Sequence, residues 1–108
     1  NVIIGPYTSI GDNCVIKSGA KIFSSSIYSG VVIGKETTVS GSILDINTTI
    51  GDDCSIEHNT VIGPRCVLRS GITIHSGVRI WPDVIVEENA VVKENILNDR
   101  YDTKADGS

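Results

Sequence analysis

The 108 residues contain no methionine and few aromatics: one Trp, one Phe and three Tyr. No apolar run reaches the roughly 18 residues a membrane-spanning helix needs, so no bilayer-crossing helix is expected. Nine Lys and Arg are outnumbered by thirteen Asp and Glu, for a net charge of −4. That balance offers no basic footprint for nucleic acid or an anionic membrane. The three cysteines, Cys14, Cys54 and Cys66, form no C-x-x-C pair. Free thiols suit a reducing compartment, so a cytoplasmic location is expected. With no methionine, Asn1 reads as the start of a piece cut from a longer chain. What is plentiful is Val, Ile, Gly, Ser and Thr, a composition of strands and turns. A chain of this length is one domain.

The apolar residues repeat. Large aliphatics fall at Ile4, Ile10, Ile16 and Ile22, then at Ile27, Ile33 and Val39. They resume at Leu44, Ile50, Ile56, Ile62, Leu68, Ile74, Ile80, Val86 and Val92. The step is six except for two steps of five, Ile22 to Ile27 and Val39 to Leu44. Two residues before each of these anchors lies a small or β-branched residue, such as Cys14, Thr48 or Cys66. Residues two apart in a strand share a face, so both point inward and the residue between them points out. Three residues after most anchors comes Gly, Asn or Asp, types that tolerate the positive φ of a sharp corner. Tyr7, Glu36 and Arg65 break that rule.

Each unit is therefore a short strand plus a corner, and strands this short need neighbours. The regular solution is a triangular coil of three units, about 18 residues per turn, stacked in parallel. Both short steps fall at the same corner of consecutive coils, where stacking absorbs them. The fold class expected is all-β: a single-stranded parallel β-helix of about five triangular coils over residues 1–97. Beyond Val92 the pattern is expected to fade, leaving residues 98–108 as a polar, flexible tail.

Outward residues carry what the scaffold does not use. On one face they read Val15, Val32, Thr49, Val67 and Ile85. An exposed aliphatic ladder marks a contact surface, although Val and Ile also suit any solvated strand. Trp81, beside Arg79 and Pro82, is either a contact anchor or a lid packed under the C-terminal segment. The cysteines occupy inward slots and read as buried structural thiols. His58 and His75 lie near one corner of neighbouring coils, with His75 beside Glu57 in its column. Two histidines fall short of the three that a hexapeptide carbonic anhydrase places on zinc. No glycine-rich loop opens a helix, so no phosphate cradle is present.

Ile-Gly-Asp-Asn-Cys-Val, Ile-Gly-Asp-Asp-Cys-Ser and Ile-Gly-Pro-Arg-Cys-Val resemble the repeats of left-handed β-helix proteins. Two segments narrow the resemblance: Gly41-Ser42-Ile43-Leu44 running into Ile50-Gly51-Asp52-Asp53-Cys54, and Gly77-Val78-Arg79-Ile80-Trp81-Pro82-Asp83. They are similar to the C-terminal domain of sugar-phosphate nucleotidylyltransferases, in the mannose-1-phosphate guanylyltransferase-like branch. The resemblance implies a left-handed coil, against the right-handed rule for β crossovers. It implies a non-catalytic oligomerisation or regulatory domain of an enzyme joining a sugar 1-phosphate to a nucleotide. Catalysis, with its Mg²⁺, belongs to an N-terminal domain; no cofactor is expected in this fragment. The partners expected are a second or third copy of the chain and that catalytic domain. Two alternatives stand beside this reading. One is an acetyl-CoA-dependent hexapeptide acyltransferase with His58 or His75 as general base, and the other is a structural adaptor.

Overall fold

The structure, a computed structural model, describes residues 1–97 and the backbone of Arg100–Tyr101. The short strands, numbered in chain order, gather into three parallel sheets that form the sides of a triangular solenoid. The first side, A, holds β1 (Ile3–Ile4), β4 (Lys21–Phe23), β7 (Thr38–Ser40), β10 (Ser55–Ile56), β13 (Thr73–Ile74) and β16 (Val91–Val92). Side B holds β2 (Ser9–Ile10), β5 (Ser26–Ile27), β8 (Ile43–Leu44), β11 (Val61–Ile62) and β14 (Arg79–Ile80). Side C holds β3 (Val15–Ile16), β6 (Val32–Ile33), β9 (Thr49–Ile50), β12 (Val67–Leu68), β15 (Ile85–Val86) and β17 (Arg100–Tyr101). The coil is a left-handed parallel β-helix.

Register follows the repeat. Anchors stack on anchors, as in Ile22↔Val39, Val39↔Ile56 and Ile56↔Ile74 on side A. From the second coil upward the anchors are all but fully buried, Ile33, Leu44 and Ile62 being 0 % exposed. The small inward slots hold hydroxyls and thiols that stitch the coils together. Thr48 Oγ1 donates to the Gly63 carbonyl at 2.7 Å and accepts from the Cys66 amide at 3.3 Å. Thr37 does the same between Gly51 O and Cys54 N. Among the described residues no buried side-chain nitrogen or oxygen lacks a partner, as a dry interior requires.

Each corner between Ile4 and Val92 carries one residue at positive φ. In six-residue steps it lies three after the anchor; in the two five-residue steps it lies two after, at Ser24 (φ 50°) and Gly41 (φ 51°). Tyr7, Glu36 and Arg65 adopt the same conformation, with φ between 57° and 59°. Residue type therefore eases the corner, while the coil geometry imposes it even on side chains that dislike it.

The ends differ. In the first coil Ile4 and Ile10 are 44 % and 38 % exposed, because β1, β2 and β3 have neighbours only above. At the other end the expected fading after Val92 is corrected. Ile96 pairs in parallel with Ile80 and is 4 % exposed. Its amide donates to Arg79 O, and its carbonyl accepts from Trp81 N, both at 3.0 Å. The step from Val92 to Ile96 is only four residues, so a search for steps of five or six passes over it. The β17 backbone pairs with β15, Ile85 opposite Arg100 and Val86 opposite Tyr101. The rest of the expected tail, 98–99 and 102–108, lies outside the described residues.

Candidate functional site

Side C presents the aliphatic ladder in register: Val15↔Val32↔Thr49↔Val67↔Ile85. Each rung projects outward because the residues on either side of it in sequence point into the core. Val15 is 50 % exposed, and the four rungs above it are half-buried against one another. Two further columns flank the ladder. One, just after the anchors, runs Lys17, Gly34, Gly51, Arg69, Glu87; the other, at the preceding corner, runs Asn13, Gly30, Asn47, Arg65, Asp83. Residues one coil apart in a column meet. Arg65 grips Asp83 with two hydrogen bonds, Nε to Oδ1 at 2.8 Å and Nη2 to Oδ2 at 3.1 Å. Arg69 Nε lies 3.3 Å from Glu87 Oε1. The Arg65 hydrogen bonds hold the Asp83 carboxyl below its usual range, and the same contact raises Arg65. The ladder is thus an apolar strip with charged margins at one end and glycines at its middle.

Trp81 is 56 % exposed, next to exposed Pro82, at the corner that borders side C. Its backbone is tied to Ile96 while the indole faces outward. The described residues leave it uncovered, so it joins the ladder as a surface apolar group. A spacing of 18, one coil, puts 65 with 83 and 69 with 87 in shared columns; that they pair, and the bidentate geometry, came only from the structure.

The histidines occupy the opposite, A–B corner. His58 is exposed and His75 half-buried. Among the described residues neither imidazole has a hydrogen-bond partner, and the ion pairs are Arg65–Asp83 and Arg69–Glu87. His75 and Glu57 therefore share a column without pairing. The imidazole of His58 lies over Gly41, where a Cβ would come within 2.9 Å of its Cδ2. Beside it lies a cleft of about 280 Å³ lined by Gly41, Ile43, Asn59, Thr60, Val61 and Arg79. The short step at Gly41 is visible in the sequence; the cleft is not, since a volume depends on how neighbouring coils stack.

All three cysteines are free. Cys54 and Cys66 are buried, and burial pushes both thiols up, away from the reactive thiolate. Their Sγ atoms face backbone carbonyls, Arg69 O at 3.2 Å and Trp81 O at 3.0 Å. Among the described residues no group of three or more His, Cys, Asp or Glu converges as a metal site would require. No helix there is long and apolar enough to cross a membrane.

Comparison with known proteins places this geometry. The chain is 28 % identical over 95 residues to mannose-1-phosphate guanylyltransferase 1 of Arabidopsis thaliana, covering 88 % of the chain and 26 % of that protein. It is 34 % identical over 91 residues to the bifunctional protein GlmU of Lactobacillus helveticus, covering 84 % of the chain and 18 % of the relative. The chain thus spans about a quarter or less of the length of these curated relatives. Among solved structures, the acetyltransferase domain of PglB from Neisseria gonorrhoeae superposes with a TM-score of 0.88 at 22 % identity, over 91 % of this chain and 49 % of that one. At that identity the likeness speaks for the fold alone. The family model described as the GMPPB C-terminal domain matches residues 1–75. With most of its length matched, and with a three-sided left-handed coil, the chain belongs to the GMPPB C-terminal domain family.

Proposed function

We propose that this chain is a non-catalytic assembly domain of a cytoplasmic enzyme that makes nucleoside-diphosphate sugars from a sugar 1-phosphate and a nucleoside triphosphate. Its partners are further copies of itself and an N-terminal catalytic domain, where Mg²⁺ would act. The observation that carries the reading is the side C ladder, Val15, Val32, Thr49, Val67 and Ile85, with exposed Trp81 beside it. The inward columns hold most of the other Ile, Val and Cys as scaffold. Membership in a family whose relatives include guanylyltransferases supports the parent activity.

Sedimentation velocity tests the assembly role. The chain is expected to self-associate, and Val67→Asp or Ile85→Asp is expected to shift it toward monomer with an unchanged far-UV spectrum. A chain that stays monomeric at high concentration, with or without those substitutions, removes the reading.

A second reading is acyl transfer, with His58 or His75 as base. The cleft beside Gly41, with His58 over its edge, favours it. A general base needs an orienting partner, and neither imidazole has one among the described residues. Calorimetric titration with acetyl-CoA decides the matter: no heat of binding eliminates this reading.

A further inference from the structure

We propose that the side C faces of two copies dock antiparallel, on a two-fold axis that crosses the solenoid at Thr49. This rests on the self-association reading above and names the partner as a second copy of this chain in one orientation.

A face that pairs with itself has two simple choices. If the axis runs along the solenoid, equal heights meet and the two flanking columns exchange places. Arg65 of one copy then faces Arg69 of the other, and Asp83 faces Glu87. Those are like charges at desolvating margins, an arrangement that costs several-fold or more in affinity. If the axis runs across the solenoid, heights invert and each column faces itself. Lys17 in the first coil then faces Glu87 in the fifth, an opposite pair.

The small residues follow the same rule. In the antiparallel arrangement the long side chains of Arg65 and Arg69 come opposite Gly30 and Gly34 of the second copy. Those two positions add no side chain of their own, and the space beside them is filled by Asn47, Gly51 and Asp52 of the next coil. The five rungs are symmetric about the middle one: Val15 meets Ile85, Val32 meets Val67, and Thr49 meets its own equivalent, while β17 extends one strand past the second copy's first coil. Such self-complementarity is the condition for an isologous interface.

The five rungs span four inter-strand spacings, about 19 Å, so the contact is a compact one, at the small end of stable interfaces.

Cysteine cross-linking tests the orientation, in a Cys14→Ala background because Cys14 is the native thiol that is only half-buried. Sedimentation of the same background sets the oligomeric state. Thr49→Cys is expected to yield a disulfide dimer under mild oxidation. Val15→Cys alone and Ile85→Cys alone are expected not to, while a mixture of the two gives the Val15–Ile85 cross-linked pair. A Val15→Cys homodimer would overturn the antiparallel axis in favour of the parallel one. A dimer in sedimentation with no cross-link at any of these positions would place the interface elsewhere, sparing self-association but not this proposal. A trimer sinks the two-fold, and a monomer sinks both readings.

Discussion

Thr48 shows how a single side chain joins two coils. Its hydroxyl donates to Gly63 O and accepts from Cys66 N, while its methyl group fills an inward slot otherwise held by Val or Cys. Thr48→Val keeps the volume and strands both backbone groups in a dry interior. A loss of about 1–3 kcal/mol is expected, read as a lower midpoint in urea. Asp83 is a different case, an exposed carboxylate held by Arg65. Its folded-state pKa is depressed, so the stability it contributes is present above the unfolded value. That contribution disappears as pH falls through the folded one. Wild type and Asp83→Asn should therefore differ most near neutral pH and converge in acid; midpoints measured at both pH values check the sign. The sequence placed both residues, Thr48 in an inward slot and Asp83 at a corner. It was silent on their partners, because a hydroxyl's or carboxylate's contact depends on atoms one coil away.

Strand and corner alternate at the level of the element, and the corner is where spacing is set. Gly51 follows the Ile50 anchor with an ordinary φ, yet an added Cβ would lie 2.7 Å from the Arg69 carbonyl carbon in the coil above. Gly77 is the converse: its φ is +80°, but an added Cβ meets nothing within 4 Å. Gly51→Ala must push two coils apart and is expected to cost about 1–3 kcal/mol by overpacking. Gly77→Ala carries only the backbone penalty, about 1–2 kcal/mol. Thermal unfolding of the pair separates them, since Gly51→Ala should also loosen amide exchange in the strands above and below it. The repeat made these corners legible, including the two short steps. What it left out was Ser24 as a positive-φ residue and Ile96 as one more buried anchor. Both depend on a local change of step that period alone cannot anticipate.

Stability grades along the whole molecule, from an open first coil to a covered interior. Ile56 is 1 % exposed and Ile4 44 % exposed, although both anchor the same column. Ile56→Ala opens a cavity that neighbours cannot close and should cost about 2–5 kcal/mol. Ile4→Ala removes a side chain that is already wet and should cost about 1 kcal/mol. Denaturant titration of the two variants, with hydrogen exchange to locate the first coil at the weak end, measures the gradient expected of a nearest-neighbour stack. By itself the sequence determined the architecture: its aliphatic period encodes strand, corner and coil, because each six-residue unit buries the same two positions. It also determined which outward residues form the side C ladder, since alternation settles which way a strand residue points. Only the tertiary structure decided which distant groups touch. The Arg65 grip on Asp83, the cleft beside Gly41 and the pairing of Ile96 with Ile80 arise between coils. There, contact is governed by how one coil stacks on the next, which is not written in any single repeat.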